Sequence, residues 1–212
     1  MPGGGKGAGS SAPREKLVAG FADIQGQDAA VAKLRRALRE GRVPHAYLFC
    51  GPIGVGKERT ALVLAQALQC RKLPDDGCGR CEPCRKVAGA RHPDVAVVRV
   101  PEGRSRVLIE QMRELQQCLA FRPYEGRNRV IVFPDAEVMT EEAANSLLKT
   151  LEEPPEQTHF VLTSSQPQNL LDTIRSRCQQ VRFAPLSRAE VGRRLIMEQV
   201  DEQLAFTAAG LS

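Results

Sequence analysis

The chain has 212 residues, of which 42% are hydrophobic and 26% charged; Trp is absent and aromatics make up only 4%. That length suits one large domain, or one domain and the start of a second, with a core built from aliphatic side chains. No apolar run reaches the roughly 20 residues of a membrane helix, and the N-terminus lacks the apolar centre of a signal peptide, so no membrane contact and a cytoplasmic location are expected. The formal charge of +5 is compatible with nucleic-acid contact without demanding it.

Residues 1–16 are rich in Gly, Ser, Ala and charge and are expected to form a disordered tail. From there strands and helices alternate. Asp28–Glu40 has apolar residues at helical spacing. Ala46–Cys50 reads as a buried strand ending at Gly51, and Lys57–Gln69 as a helix. Val95–Val100 is a second strand and Val107–Leu119 a helix. Arg129–Phe133 is a third strand, followed by a helix over Glu141–Leu151 that Pro154 and Pro155 stop. His159–Thr163, a short helix over Leu170–Arg175, and a strand over Gln180–Phe183 follow. Ser187 and Glu190 have capping-box spacing for a further helix. Five apolar strands alternating with helices predict an α/β fold with a mainly parallel sheet covered on both faces. The alternation stops near Pro185, which predicts a domain over 17–185 and a second unit beginning at 186.

Residues 51–58 read GPIGVGKE. Gly51, Gly56 and Lys57 satisfy G-x-x-x-x-G-K between a strand and a helix, with Gly54 inside the loop. Such a loop curls backbone N–H groups around phosphate oxygens, the helix N-terminus adds partial positive charge, and the lysine reaches the outer phosphates. The pattern continues with Ser or Thr where magnesium is held, and here Glu58 stands instead. ATP or ADP is therefore a candidate ligand of a degenerate site, the alternative being a glycine-rich turn that only caps a helix. A P-loop ATPase also needs acidic residues at the end of a later strand. After Phe133 come Pro134, Asp135, Ala136 and Glu137, and Asp135 is the carboxylate nearest the strand's end.

Of seven cysteines, Cys70, Cys78, Cys81 and Cys84 form two overlapping C-x-x-C steps. Four thiolates at such spacing converge on one tetrahedral Zn2+ at about 2.3 Å, a closed and hence structural site. Gly77, Gly79 and Pro83 supply the turns. Cys50, Cys118 and Cys178 are expected to be small apolar or partly buried residues.

Taken together, Gly26-Gln27, HAYLFCGPIGVGK at 45–57, the four-Cys module, EEAANSLLKTLEEPP at 141–155 and SRC at 176–178 resemble the bacterial clamp-loader subunits of DNA polymerase III, the gamma/tau and delta-prime subunits of the AAA+ class. The resemblance covers residues 21–212. In the family pattern Pro134 falls on the magnesium-binding Asp and Asp135 on the catalytic Glu. The motor type, gamma/tau, keeps the threonine after the lysine and both acids. The damaged pair here, together with His92-Pro93-Asp94, is similar to the delta-prime type. The resemblance implies that Arg177 is an arginine finger serving a neighbour's ATP site, with Ser176 and Cys178 holding its loop, and that Ser164 or Ser165 occupies a phosphate-sensing position. It implies gamma/tau and delta subunits as partners, and the sliding clamp and primed DNA through the assembled complex. It also implies a lid and a collar domain, of which residues 186–212 would be the start of the lid. Two functions stay open: a largely non-hydrolysing stator, and an active ATPase motor working through Lys57 and Asp135. Glu58, Pro134 and Ala136 disfavour the motor. A zinc-containing DNA-binding protein is a third possibility, weakened by the scarcity of aromatics for base stacking.

Overall fold

The computed structural model describes residues 20–197, with side chains as far as Arg193. The expected tail at 1–16 and most of the expected lid lie outside the described residues.

Five strands form one sheet: β1 (Ala46–Cys50), β2 (Val95–Val97), β3 (Arg129–Phe133), β4 (Thr158–Ser164) and β5 (Gln179–Arg182). Their order is β2-β3-β4-β1-β5, and every pairing is parallel. Helices α1 (Asp28–Arg39), α2 (Lys57–Gln69), α3 (Glu82–Ala88), α4 (Ile109–Leu119), α5 (Glu141–Glu152), α6 (Asp172–Arg177) and α7 (Arg188–Met197) connect or follow them.

Successive side chains on a strand point to opposite faces, and here each face has its own core. Tyr47, Phe49, Val130, Val132, Val161 and Val181 pack with Val31 and Leu34 of α1 and Ala61, Leu64 and Ala65 of α2. Leu48, Ile131, Phe133, Phe160 and Leu162 pack with Met112 and Leu115 of α4, Leu147 and Leu151 of α5 and Ile174 of α6. All five residues of β1 and of β3 are buried. This is why AYLFC of β1 and VIVF of β3 are continuously apolar rather than alternating, with buried Arg129 at the start of β3 the exception. Strand β1 lies between β4 and the edge strand β5. The connections diverge there, and the crevice beyond its C-terminal end is where open α/β sheets bind ligands.

Several boundaries move from those expected. The second strand ends at Val97 rather than Val100, Val98 N–H making one last bond to Val132 O at 2.9 Å. The fourth helix begins at Ile109 because Val107 forms an isolated parallel bridge with Met139. The sixth helix is shifted to Asp172–Arg177, since Pro167–Asn169 makes its own 3-10 turn and Leu170 is extended. Helix α3 lies inside the cysteine module, where no helix was expected; Pro83 sits in its first turn and Cys84 and Val87 are buried. The capping box at Ser187 is present: Ser187 N–H donates to Glu190 Oε2 at 2.7 Å, and Glu190 N–H to Ser187 Oγ at 3.3 Å.

Candidate nucleotide and metal sites

The phosphate-loop sequence runs from the end of β1 into α2. Gly54 and Gly56 have φ of +81° and +96°, the left-handed region that glycine enters without steric cost. Gly51 is required for a different reason: a Cβ there would lie 2.5 Å from Phe183 O and 2.8 Å from Phe183 Cβ. Lys57 is 6% exposed, and its ammonium donates to the carbonyls of Gly51 at 2.7 Å and Pro52 at 2.6 Å. Burial pulls its pKa down, and the carboxylates of Asp135 and Glu137 work in the other direction. The lysine and these two acids therefore share one electrostatic neighbourhood at the C-terminal edge of the sheet.

The magnesium side of this loop is differently equipped. Glu58 occupies the expected Ser/Thr position and forms an ion pair with Arg99, which follows β2. Thr60 is buried and gives its hydroxyl to Gly56 O at 2.8 Å, so it does not take over as a metal ligand. Asp135 stands just after β3 with φ +47°, and its N–H donates to Thr163 Oγ1 at 3.1 Å.

Glu137 was not singled out from the sequence, yet it reaches the phosphate-sensing segment. Its Oε1 accepts from Ser165 N–H at 2.9 Å, Ser165 Oγ–H at 2.8 Å and Gln166 N–H at 3.3 Å. Burial pushes this carboxyl up, but its own N–H and Ser165 outweigh that and hold it below the ordinary value. Ser164 Oγ accepts from Gln166 N–H at 3.1 Å. Both candidate sensor serines are thus engaged within the chain.

Arg177 closes α6. Its Nη2 pairs with Glu152 Oε1 at 2.7 Å and its Nη1 donates to Thr173 O at 3.0 Å. These partners belong to α5 and α6, not to the chain's own phosphate loop. Cys178 is buried behind it, and burial raises its thiol pKa to about 12. Cys50 is buried as well, whereas Cys118, near the end of α4, is exposed.

The sulfurs of Cys70, Cys78, Cys81 and Cys84 all lie within 4.8 Å of one another, with Cys70 and Cys81 at 3.9 Å. A tetrahedral zinc–thiolate site requires sulfurs about 3.8 Å apart, from a bond of about 2.3 Å. Backbone N–H groups already surround the donors. Those of Lys72, Leu73 and Cys78 point at Cys70 Sγ at 3.4, 3.2 and 3.4 Å, and that of Cys81 at Cys78 Sγ at 3.3 Å. Such N–H groups compensate thiolate charge, so the donor set fits a metal ion. Gly77 and Gly79 make the turns with φ of +75° and +62°.

A buried ion pair organises the loop between α4 and β3. Buried Asp94 accepts N–H bonds from Tyr124, Glu125 and Gly126 at 2.5, 2.9 and 2.7 Å. Arg129, 4.0 Å away, donates to the carbonyls of Cys118, Phe121 and Arg122 at 2.7, 2.9 and 3.1 Å. The two charges thereby hold opposite halves of the loop between α4 and β3.

A five-stranded parallel sheet with a glycine loop between β1 and α2 defines a P-loop protein of the AAA+ class. Among solved structures, a gamma subunit-related protein of DNA polymerase III from Thermotoga maritima aligns with a TM-score of 0.53 at 23% identity, covering 86% of this chain and 58% of that one. The RuvB Holliday junction branch migration motor of Thermotoga maritima aligns with a TM-score of 0.56 at 16% identity, covering 91% and 59%. These likenesses support the fold. A family model described as DNA polymerase III, delta subunit, matches residues 26–187. The delta-prime subunit of DNA polymerase III from Bacillus subtilis (strain 168) is 38% identical, over 84% of this chain and 54% of that protein. The tau/gamma subunit of Haemophilus influenzae is 34% identical, over 88% and 27%. The chain belongs to the clamp-loader subunit family of DNA polymerase III, and it spans about half or less of the length of these relatives.

Proposed function

We propose that the chain is a delta-prime-type subunit of the DNA polymerase III clamp loader, a stator that hydrolyses little or no ATP itself. In this reading it supplies Arg177 to the ATP site of an adjoining gamma/tau subunit. It assembles with gamma/tau and delta, and meets the sliding clamp and primed DNA through that complex. The carrying observation is the state of the phosphate site: Glu58 is bound up with Arg99, Pro134 stands where a magnesium-binding acid belongs, and Ser165 is held by Glu137. Gly51, Gly54, Gly56 and Lys57 still form a loop able to accept nucleotide phosphates, with Asp135 beside it, while Glu58 and Pro134 argue against a metal held for hydrolysis.

A guanidinium supplied in trans would stabilise charge that develops on the transferred phosphoryl group. Cys70, Cys78, Cys81 and Cys84 would hold one zinc, which supplies cross-linking of the module rather than chemistry.

The test is ATP hydrolysis by a gamma/tau–delta complex containing this chain or its Arg177→Ala variant. The proposal expects the adjoining site to slow by about two orders of magnitude or more in the variant, and this chain alone to be inactive. Magnesium-dependent turnover by this chain alone, abolished in Lys57→Ala, would instead make it a gamma/tau-type motor.

A further inference from the structure

We propose that Glu152 is a positioning residue for Arg177, fixing the direction of the guanidinium before the neighbouring subunit arrives. The inference rests on the reading of Arg177 as a group that acts in trans.

Glu152 is the last residue of α5 and Arg177 the last of α6. The two helices are fixed to the sheet by buried Leu147, Leu151 and Ile174. Leu151, 2% exposed and directly before Glu152, pins the backbone that carries the carboxylate. The guanidinium is gripped at two points, by Glu152 Oε1 at 2.7 Å on Nη2 and by Thr173 O at 3.0 Å on Nη1. One grip comes from a different helix, so it fixes direction as well as charge.

An arginine fork carries five N–H donors. Two are used here, one on each terminal nitrogen, which leaves the Nε proton and one proton on each terminal nitrogen for an incoming phosphoryl group. The side chain is therefore anchored without being saturated. Both partners are partly solvent-exposed, Arg177 at 35% and Glu152 at 50%. Water screens the pair, so the carboxylate orients the cation without cancelling it. A free arginine would lose its rotamer freedom on meeting the nucleotide, whereas a tethered one has lost much of it beforehand. The adjacent Glu153 is exposed and has no side-chain partner among the described residues. It supplies a control of the same charge, one residue away.

The experiment measures steady-state ATP hydrolysis by the gamma/tau–delta complex containing this chain as wild type, Glu152→Ala, Glu152→Asp, Glu153→Ala or Arg177→Ala. Glu152→Ala is expected to lower kcat by roughly five- to thirtyfold, between the worth of an exposed pair and that of a misplaced catalytic group, with KM for ATP unchanged. Glu152→Asp should recover most of the rate, Glu153→Ala should match wild type, and all variants should melt together. If Arg177→Ala falls steeply while Glu152→Ala equals or exceeds wild type, the positioning role is wrong and the reading of Arg177 survives. A loss in Glu152→Ala that appears in KM, or that Glu152→Asp does not relieve, also overturns it. If Arg177→Ala itself leaves hydrolysis unchanged, the trans-acting reading fails and the inference falls with it.

Discussion

Replacing Asp94 with Asn removes one charge while nearly keeping the side chain's shape, and its cost follows from the three N–H bonds that Asp94 accepts from Tyr124, Glu125 and Gly126. A hydrogen bond to a charged group contributes about 1.5–3 kcal/mol, and a buried donor left unsatisfied costs about 1–3 kcal/mol. An amide offers one acceptor oxygen and turns an NH2 toward donors, so at least one of the three N–H groups loses its partner. Arg129, 4.0 Å away, also loses its counter-charge. Together these give about 3 kcal/mol. For a domain of this size, with m near 2 kcal/mol/M, the urea midpoint should drop by roughly 1.5 M at neutral pH. Burial pushes the Asp94 carboxyl up, but the three N–H bonds outweigh it and leave the pKa below the ordinary carboxylate value. A depressed pKa in the folded state adds stability above the unfolded value of about 3.9, and that stability is lost as pH falls through the lower folded value. The gap between wild type and variant should thus narrow below about pH 4. A loss under about 1 kcal/mol at pH 7, or a gap that widens in acid, would refute the reasoning.

Metal analysis of the purified chain should find one zinc per molecule, and Cys81→Ser should abolish it and lower the melting temperature; full metal retention in that variant would exclude the four-thiolate site. Binding of a fluorescent ADP should differ less than about threefold between magnesium and EDTA, because Glu58 and Pro134 replace the usual metal-holding residues; a tenfold dependence would show a working metal site. Gly51→Ala should cost about 1–3 kcal/mol in a thermal melt through overpacking against Phe183. Thr140→Ala should cost about 1 kcal/mol, since Ala143 N–H donates to Thr140 Oγ1 at 3.2 Å at the start of α5.

Strand positions were readable because burial on both faces leaves continuous apolar runs such as AYLFC at 46–50 and VIVF at 130–133. The four cysteines were readable for a similar reason, since their spacing alone limits how they can converge. What stayed hidden depends on contacts between distant segments. Arg99 lies 41 positions from Glu58, and Glu137 reaches Ser165 across 28. No local pattern pairs such residues. Helix α3 escaped notice because seven residues are too few for a periodic signal. Position 137 was visible in the Pro-Asp-Ala-Glu run, but a 3-10 turn over Ala136–Val138 sets its direction, and composition does not announce that turn.

The close fit of Gly51 under Phe183 has a mechanical consequence. Phe183 follows β5 directly, and Ala184 next to it is clasped by both ends of the Gln27 amide, each bond 2.9 Å long. The phosphate loop, the start of α1 and the exit toward α7 therefore meet in one joint with no slack. A ligand that displaced the loop by a fraction of an ångström would have to move Phe183, and the shift would pass to the chain leaving the sheet. An occupied loop would then report its state outward as a change of angle, whether or not a bound nucleotide is cleaved.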